Sequence, residues 1–178
     1  MSGGLVRGHA TTLATYMPKA METRKPGTPT VVWALGLAGE TFELLEALDG
    51  QYLTDITLEM GDVLWYCVAM AYDLHEHDRF LMQFVHNIGT PGVDHRASLI
   101  GAAREVTEHF KKCIRKHGLD DYLSHVDKTM VADRLAYIAR TLYWICADRS
   151  IVWSSVMDRN IEKLAGRKAS GTLGDVRR

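Results

Sequence analysis

Proline breaks helices, and the placement of proline limits this chain more than any other feature. Its 178 residues hold four prolines, Pro18, Pro26, Pro29 and Pro91. The long intervals between them are rich in Ala, Leu, Met, Glu and Lys, which are strong helix formers. Helices are therefore expected at about 9–23, 31–48, 54–75, 78–88, 96–117, 121–147 and 150–165. No segment alternates apolar and polar residues between turn dipeptides, as strand hairpins would. The expected fold class is all-α, a helical bundle.

A chain of this length supports one domain with a real core, so 1–178 is read as a single all-α unit. The stretch "NIGTPGVDH" (Asn87 to His95) has the clearest mid-chain turn chemistry, in Gly89, Pro91 and Gly92. It separates two halves of similar size, about 9–88 and 96–168, followed by a basic tail, 169–178, expected to be flexible. The halves resemble each other. "LAGETFELLEA" aligns with "AAREVTEHFKK" 65 residues later, carrying Glu40 onto Glu105 and Glu43 onto Glu108. "LWYCVA" also resembles "LYWICA". Two registers are open there, placing Glu59 and Asp62 opposite Arg134 and Tyr137, or opposite Tyr137 and Arg140. A tandem duplication with a degenerate second repeat is expected.

No apolar run approaches the ~20 residues that span a bilayer. The start "MSGGLVRGHATTL" lacks the apolar core of a secretory signal. No membrane partner and a cytoplasmic setting are therefore expected. Cys67, Cys113 and Cys146 form no CxxC pair and read as buried free thiols of a reducing compartment.

Charge is divided unevenly. From Pro26 to Asp78 there are ten acids and no Lys or Arg, whereas Arg79 to Arg178 holds seventeen basic residues against eleven acids. A solvated helix face usually mixes signs, since (i, i+4) pairs help and like charges repel. The uncompensated acids point instead to cations from outside. Within this window Glu40 and Glu43 lie three residues apart, as do Glu59 and Asp62. That spacing puts each pair on one helix face, and a hairpin turning near 49–53 brings the faces together. Oxygen-only ligation selects a hard cation, Mg²⁺ or Mn²⁺, with positions left for phosphates. There is no Glu-x-x-His for a di-iron bundle and no HExxH for zinc. Trp33, Tyr66, Tyr143 and Trp144 offer faces for stacking a base, but core packing is the favoured reading. The basic residues are interleaved with acids and form no recognised module, so no nucleic-acid partner is expected.

"GLAGETFELLEAL" with "LEMGDVLWYCVAMA" resembles the MazG-like all-α nucleoside triphosphate pyrophosphohydrolases, whose signature is ExxE, a spacer and ExxD. "NIEKLAGR" (Asn160 to Arg167) resembles that family's N-x-x-K-L-x-x-R element. With "TLATYMPKAMETR", the resemblance spans about 11–168. It implies hydrolysis of an NTP or dNTP between the α and β phosphates. It makes Glu40, Glu43, Glu59 and Asp62 the Mg²⁺ ligands, with Glu40 or Glu43 also polarising the attacking water. Tyr66 would touch the nucleotide, and Asn160, Lys163 and Arg167 would hold the phosphates. A homodimer is the expected assembly.

One departure from the family order stands out. The N-x-x-K element follows the second hairpin, not the first. A composite site is the consequence, with metal ligands from the first half and phosphate contacts from the second. Two alternatives stand beside this reading: a nucleotide-binding regulatory module of the same fold, and a phosphoribosyl-ATP pyrophosphohydrolase-like enzyme.

Overall fold

Helices are the regular elements of the computed structural model, which describes residues 11–50, 52–87, 94–118 and 123–171. They are α1 (Leu13–Met21), α2 (Thr30–Gly50), α3 (Leu53–Asp73), α4 (His77–His86), α5 (His95–His117), α6 (His125–Asp148) and α7 (Trp153–Ala169). The protein is all-α. The turn at Gly89, Pro91 and Gly92 and the last residues of the tail lie outside the described residues.

Local chemistry sets the ends. Thr12 caps α1 in a reciprocal box with Thr15, and Asp94 caps α5 by accepting from Arg96 N at 2.9 Å and Ala97 N at 3.0 Å. The sixth helix begins at His125, later than the expected 121, because Ser124 and Asp127 close a capping box there. α1 accommodates Pro18 within its nine residues.

The element that decides the architecture is α3. Its buried residues include Met60, Gly61, Asp62, Val63 and Leu64 in unbroken succession, so it is covered on every side. α2, α6, α7 and α1 supply that cover. A carboxylate on this helix, Asp62, is therefore held where few others can reach it.

The packing has a twofold pattern. Hairpin α2–α3 lies on hairpin α5–α6, with α2 against α5 and α3 against α6. The helix after each hairpin then crosses to the other one: α4 packs on α6, and α7 packs on α3. The ends of α3 and α6 repeat each other bond for bond. Leu74 N, His75 N and Glu76 N donate to Met70 O, Tyr72 O and Ala71 O; Arg149 N, Ser150 N and Ile151 N donate to Ile145 O, Ala147 O and Cys146 O. Both turns are Schellman motifs, with His75 at φ 59° and Ser150 at φ 56° where glycine is usual. This fixes a shift of 75 residues between α3 and α6, so Arg134 corresponds to Glu59 and Tyr137 to Asp62. The likeness of "LWYCVA" to "LYWICA" belongs to the other register and is not the one these turns share.

Candidate active site

Glu40 and Glu43 come from α2 and Glu59 from α3. One carboxylate oxygen of each lies within 4.8 Å of the other two. Glu43 is exposed, while Glu40 and Glu59 are half-buried. Burial pushes the Glu40 carboxyl up to about 7, assisted by the charges of Asp62, Glu43 and Glu59 and opposed by Lys163. Like charges gathered out of bulk water raise one another's affinity for a proton, or for any other cation.

Asp62 is placed differently. It is 7% exposed. Its Oδ1 accepts from Asn160 Nδ2 at 3.0 Å, and its Oδ2 accepts from Lys163 Nζ. Asn160 is 1% exposed, and its Oδ1 accepts from the Tyr16 hydroxyl at 2.7 Å. Tyr16, Asn160 and Asp62 thus form one buried chain joining α1, α7 and α3.

Two glycines make these approaches possible. A Cβ on Gly61 would stand 2.9 Å from Asn160 Cβ and 3.3 Å from the Val156 carbonyl oxygen, so α7 comes this close to α3 only over glycine. A Cβ on Gly36 would overlap the Tyr66 ring, which rests on α2 at that point. Tyr66 also packs edge-on to Trp65 at 5.0 Å between ring centres, and Trp65 stands 5.6 Å from Trp33. Trp65 Nε1 donates to Ala20 O and Thr23 Oγ1, both at 3.1 Å, which ties the aromatic cluster to α1. Burial raises the Tyr66 hydroxyl's pKa, Glu40 and Asp62 raise it further, and Arg167 lowers it, so Arg167 acts on the same corner of the bundle.

The structure brings the candidate residues together unequally. Three of the four acids converge, and Asp62 stands beside them, engaged by α7. Lys163, from the second half, bonds to Asp62 at the edge of this centre. Asn160 does not project toward solvent: both ends of its amide are taken inside the protein, which suits orienting Asp62 better than touching a phosphate. Tyr16 had no role in the sequence reading, because a lone tyrosine on a short helix carries no signal until its partner is known. The acid-rich window is also less dependent on outside cations than its composition suggests. Asp49 pairs with Arg96 at 2.6 Å, Asp73 with Arg24 at 3.1 Å, Glu76 with His125 at 3.6 Å, and Asp62 with Lys163. Arg96, Arg24 and Lys163 bring positive charge to the periphery and to Asp62, and the three glutamates remain concentrated.

Residues 32–88 match the family model of the MazG nucleotide pyrophosphohydrolase domain. This segment is MazG-like. The match takes in α2 from its third residue, α3 and α4, including all four acids and Tyr66, and stops before α5. No match to a curated protein or to a solved structure was found for the chain. No helix among the described residues is long and apolar enough to cross a membrane.

The second hairpin carries different charges at the matching place. Glu105 lies 65 residues after Glu40, at the same distance from its helix start, and pairs with Arg134 at 2.7 Å. Glu108 pairs with Lys111 on its own helix. An open cavity of about 520 Å³ lies over this spot, lined by Glu105, Glu108, His109, Lys112, Met130 and Arg134 among others.

Proposed function

We propose that the protein is a nucleotide pyrophosphohydrolase that cleaves an NTP or dNTP between the α and β phosphates, yielding a monophosphate and pyrophosphate. The observation carrying this reading is the convergence of Glu40, Glu43 and Glu59 beside Lys163 in the MazG-like segment. An all-oxygen donor set of this kind suits Mg²⁺ or Mn²⁺. Glu40, Glu43 and Glu59 would hold the cation. Asp62 would complete the set through lone pairs that Asn160 and Lys163 leave open. When bound, such a cation supplies charge neutralisation at the phosphate oxygens and a more acidic water.

The rest is the work of the chain's own groups. Either Glu40 or Glu43 accepts a proton from the attacking water through a carboxylate oxygen. Lys163 and Arg167 hold the phosphates from α7, Arg167 with a planar guanidinium suited to two oxygens at once. Asn160 positions Asp62, with Tyr16 fixing the amide behind it. Tyr66, seated on Gly36 next to Glu40, faces the nucleotide. The chain acts as one domain, a duplicated hairpin in which the second copy keeps Glu105 and Glu108 but has Arg134 and Tyr137 in place of Glu59 and Asp62. A cytoplasmic homodimer belongs to the same reading, carried over from the family resemblance.

The test is pyrophosphate release with Mg²⁺ over the common NTPs and dNTPs, run in water enriched in heavy oxygen. Heavy oxygen is expected on the monophosphate. A nucleoside diphosphate product, or label confined to inorganic phosphate, would overturn the assignment.

A further inference from the structure

Beside the cavity on the second hairpin, His109 and Cys113 stand one turn apart on α5, and Asp127 faces them from the first turn of α6. One donor atom of each lies within 4.8 Å of the other two. His109 Nε2 is 3.0 Å from Asp127 Oδ1 and 3.6 Å from Cys113 Sγ. Bonds of ~2.0 Å to nitrogen and oxygen and ~2.3 Å to sulfur around a tetrahedral Zn²⁺ put neighbouring donors roughly 3.3–3.6 Å apart. The two separations from His109 already stand close to that spacing, and Cys113 and Asp127 offer donors within 4.8 Å of each other.

A comparison within the chain adds weight. The positions 65 residues earlier, in α2, are Leu44 and Leu48, both buried in the core. The second hairpin has exchanged two core leucines for an imidazole and a thiol on one helix face. A half-buried core position gains nothing in packing from that exchange. It gains a donor pair with helical i, i+4 spacing.

We propose that His109, Cys113 and Asp127 form a binding site for a thiophilic divalent cation, Zn²⁺ first among them, separate from the carboxylate centre on α2 and α3. Imidazole, thiolate and carboxylate together select such a cation over Mg²⁺. Asp127 is held in place for the task. Its Oδ2 accepts from Ser124 N at 2.9 Å and Ser124 Oγ at 2.5 Å, which leaves Oδ1 toward His109. The half-exposed site adjoins the open cavity through His109, so a water or an anionic ligand can take the fourth position. Binding releases the Cys113 proton to solvent and fastens α5 to the start of α6.

The experiment titrates the metal-free, full-length protein with Co²⁺ and follows its absorption. One equivalent should bring a thiolate-to-cobalt charge-transfer band with d–d bands of four-coordinate strength. Zn²⁺ should bleach them, and excess Mg²⁺ should leave them unchanged. Cys113→Ser should remove the charge-transfer band, and His109→Gln should weaken Zn²⁺ binding at least ~10-fold in competition with a chromophoric chelator. Circular dichroism confirms that both variants keep their helices. Glu43→Gln, in the other centre, should develop the same thiolate-to-cobalt charge-transfer band as the parent. The proposal is overturned if the parent shows no charge-transfer band, if the band survives Cys113→Ser, or if Glu43→Gln abolishes it. None of these outcomes depends on nucleotide turnover, so this site and the hydrolase reading fail separately.

Discussion

In the α2–α3 hairpin three glutamates face one another, whereas in the α5–α6 hairpin Glu105 meets the guanidinium of Arg134. The backbone layout is shared, down to the hydrogen bonds that end α3 and α6. The sign of one side chain differs, Glu59 against Arg134. A carboxylate there deepens a negative centre that protonates or collects a cation. An arginine there brings the neutralising charge with it, and Glu105 needs no further partner. The fold therefore accommodates both arrangements, and an acid or a base at this position of the second helix sets the local charge of each hairpin.

The largest effect that tests this contrast is on turnover. Glu40→Gln or Glu43→Gln should lower kcat by at least ~100-fold, the scale lost with one preorganised electrostatic group. Glu105→Gln and Glu108→Gln should change it less than about threefold, since those carboxylates already sit in surface ion pairs with Arg134 and Lys111. Steady-state pyrophosphate release measures all four. Equal losses from both pairs would mean that the second hairpin is a working site and the contrast is false.

Next in size come the groups that α7 brings across. Lys163→Ala and Arg167→Ala should each cost about ten- to a hundredfold in kcat/KM, from charge-assisted contacts of roughly 1.5–3 kcal/mol. Tyr16→Phe leaves Asn160 without one donor, and its expected loss is smaller, about threefold to tenfold, appearing in kcat rather than KM. A Tyr16→Phe variant with raised KM and unchanged kcat would place Asn160 on the substrate after all.

How much of this was legible beforehand follows from what each residue depends on. The helices were readable because proline spacing and helix formers act locally. Glu40, Glu43 and Glu59 were readable because i, i+3 spacing fixes a face and the window lacks basic residues. The buried chain from Tyr16 through Asn160 to Asp62 was not, since it joins three helices far apart in sequence and engages both Asp62 oxygens from α7. Gly61 is the one local hint: in "MGDV" a glycine interrupts a helix, and the reason is the close approach of Asn160. The register of the second repeat was misleading for a related cause. Aromatic similarity between "LWYCVA" and "LYWICA" reflects core composition, while the backbone turns at His75 and Ser150 match at a shift of 75 that no side-chain pattern announces.

The acidic centre should also make the metal-free protein sensitive to pH. The folded Glu40 carboxyl titrates near 7 instead of the ordinary 4.5, so the folded state holds that proton more tightly than the unfolded chain does. Its stabilising share is whole below the ordinary range and is lost as pH rises through about 7. In chelator the melting temperature should fall across that window. Glu40→Gln should flatten the fall and melt higher than the parent at pH above it, whereas Glu105→Gln should follow the parent curve. Added Mg²⁺ should restore the parent by binding the folded state. An unchanged slope in Glu40→Gln would show that the three carboxylates do not strain one another.

The smallest effect concerns the two turns themselves. His75 and Ser150 are exposed and hold φ values of 59° and 56°, a region that costs a residue with a Cβ roughly 1 kcal/mol. Glycine removes that cost but adds freedom to the unfolded chain, which returns part of it. His75→Gly and Ser150→Gly should each stabilise by about 0.5 kcal/mol, or ~1–2 °C in melting temperature for a chain of this size. Ser150→Val should move the other way, because a β-branched side chain fits this region worst. Since the two turns share every backbone hydrogen bond, the two glycine variants should shift by the same amount and add when combined. Shifts of opposite sign would show that one turn carries a contact the other lacks, and the correspondence of α3 with α6 would then need another anchor.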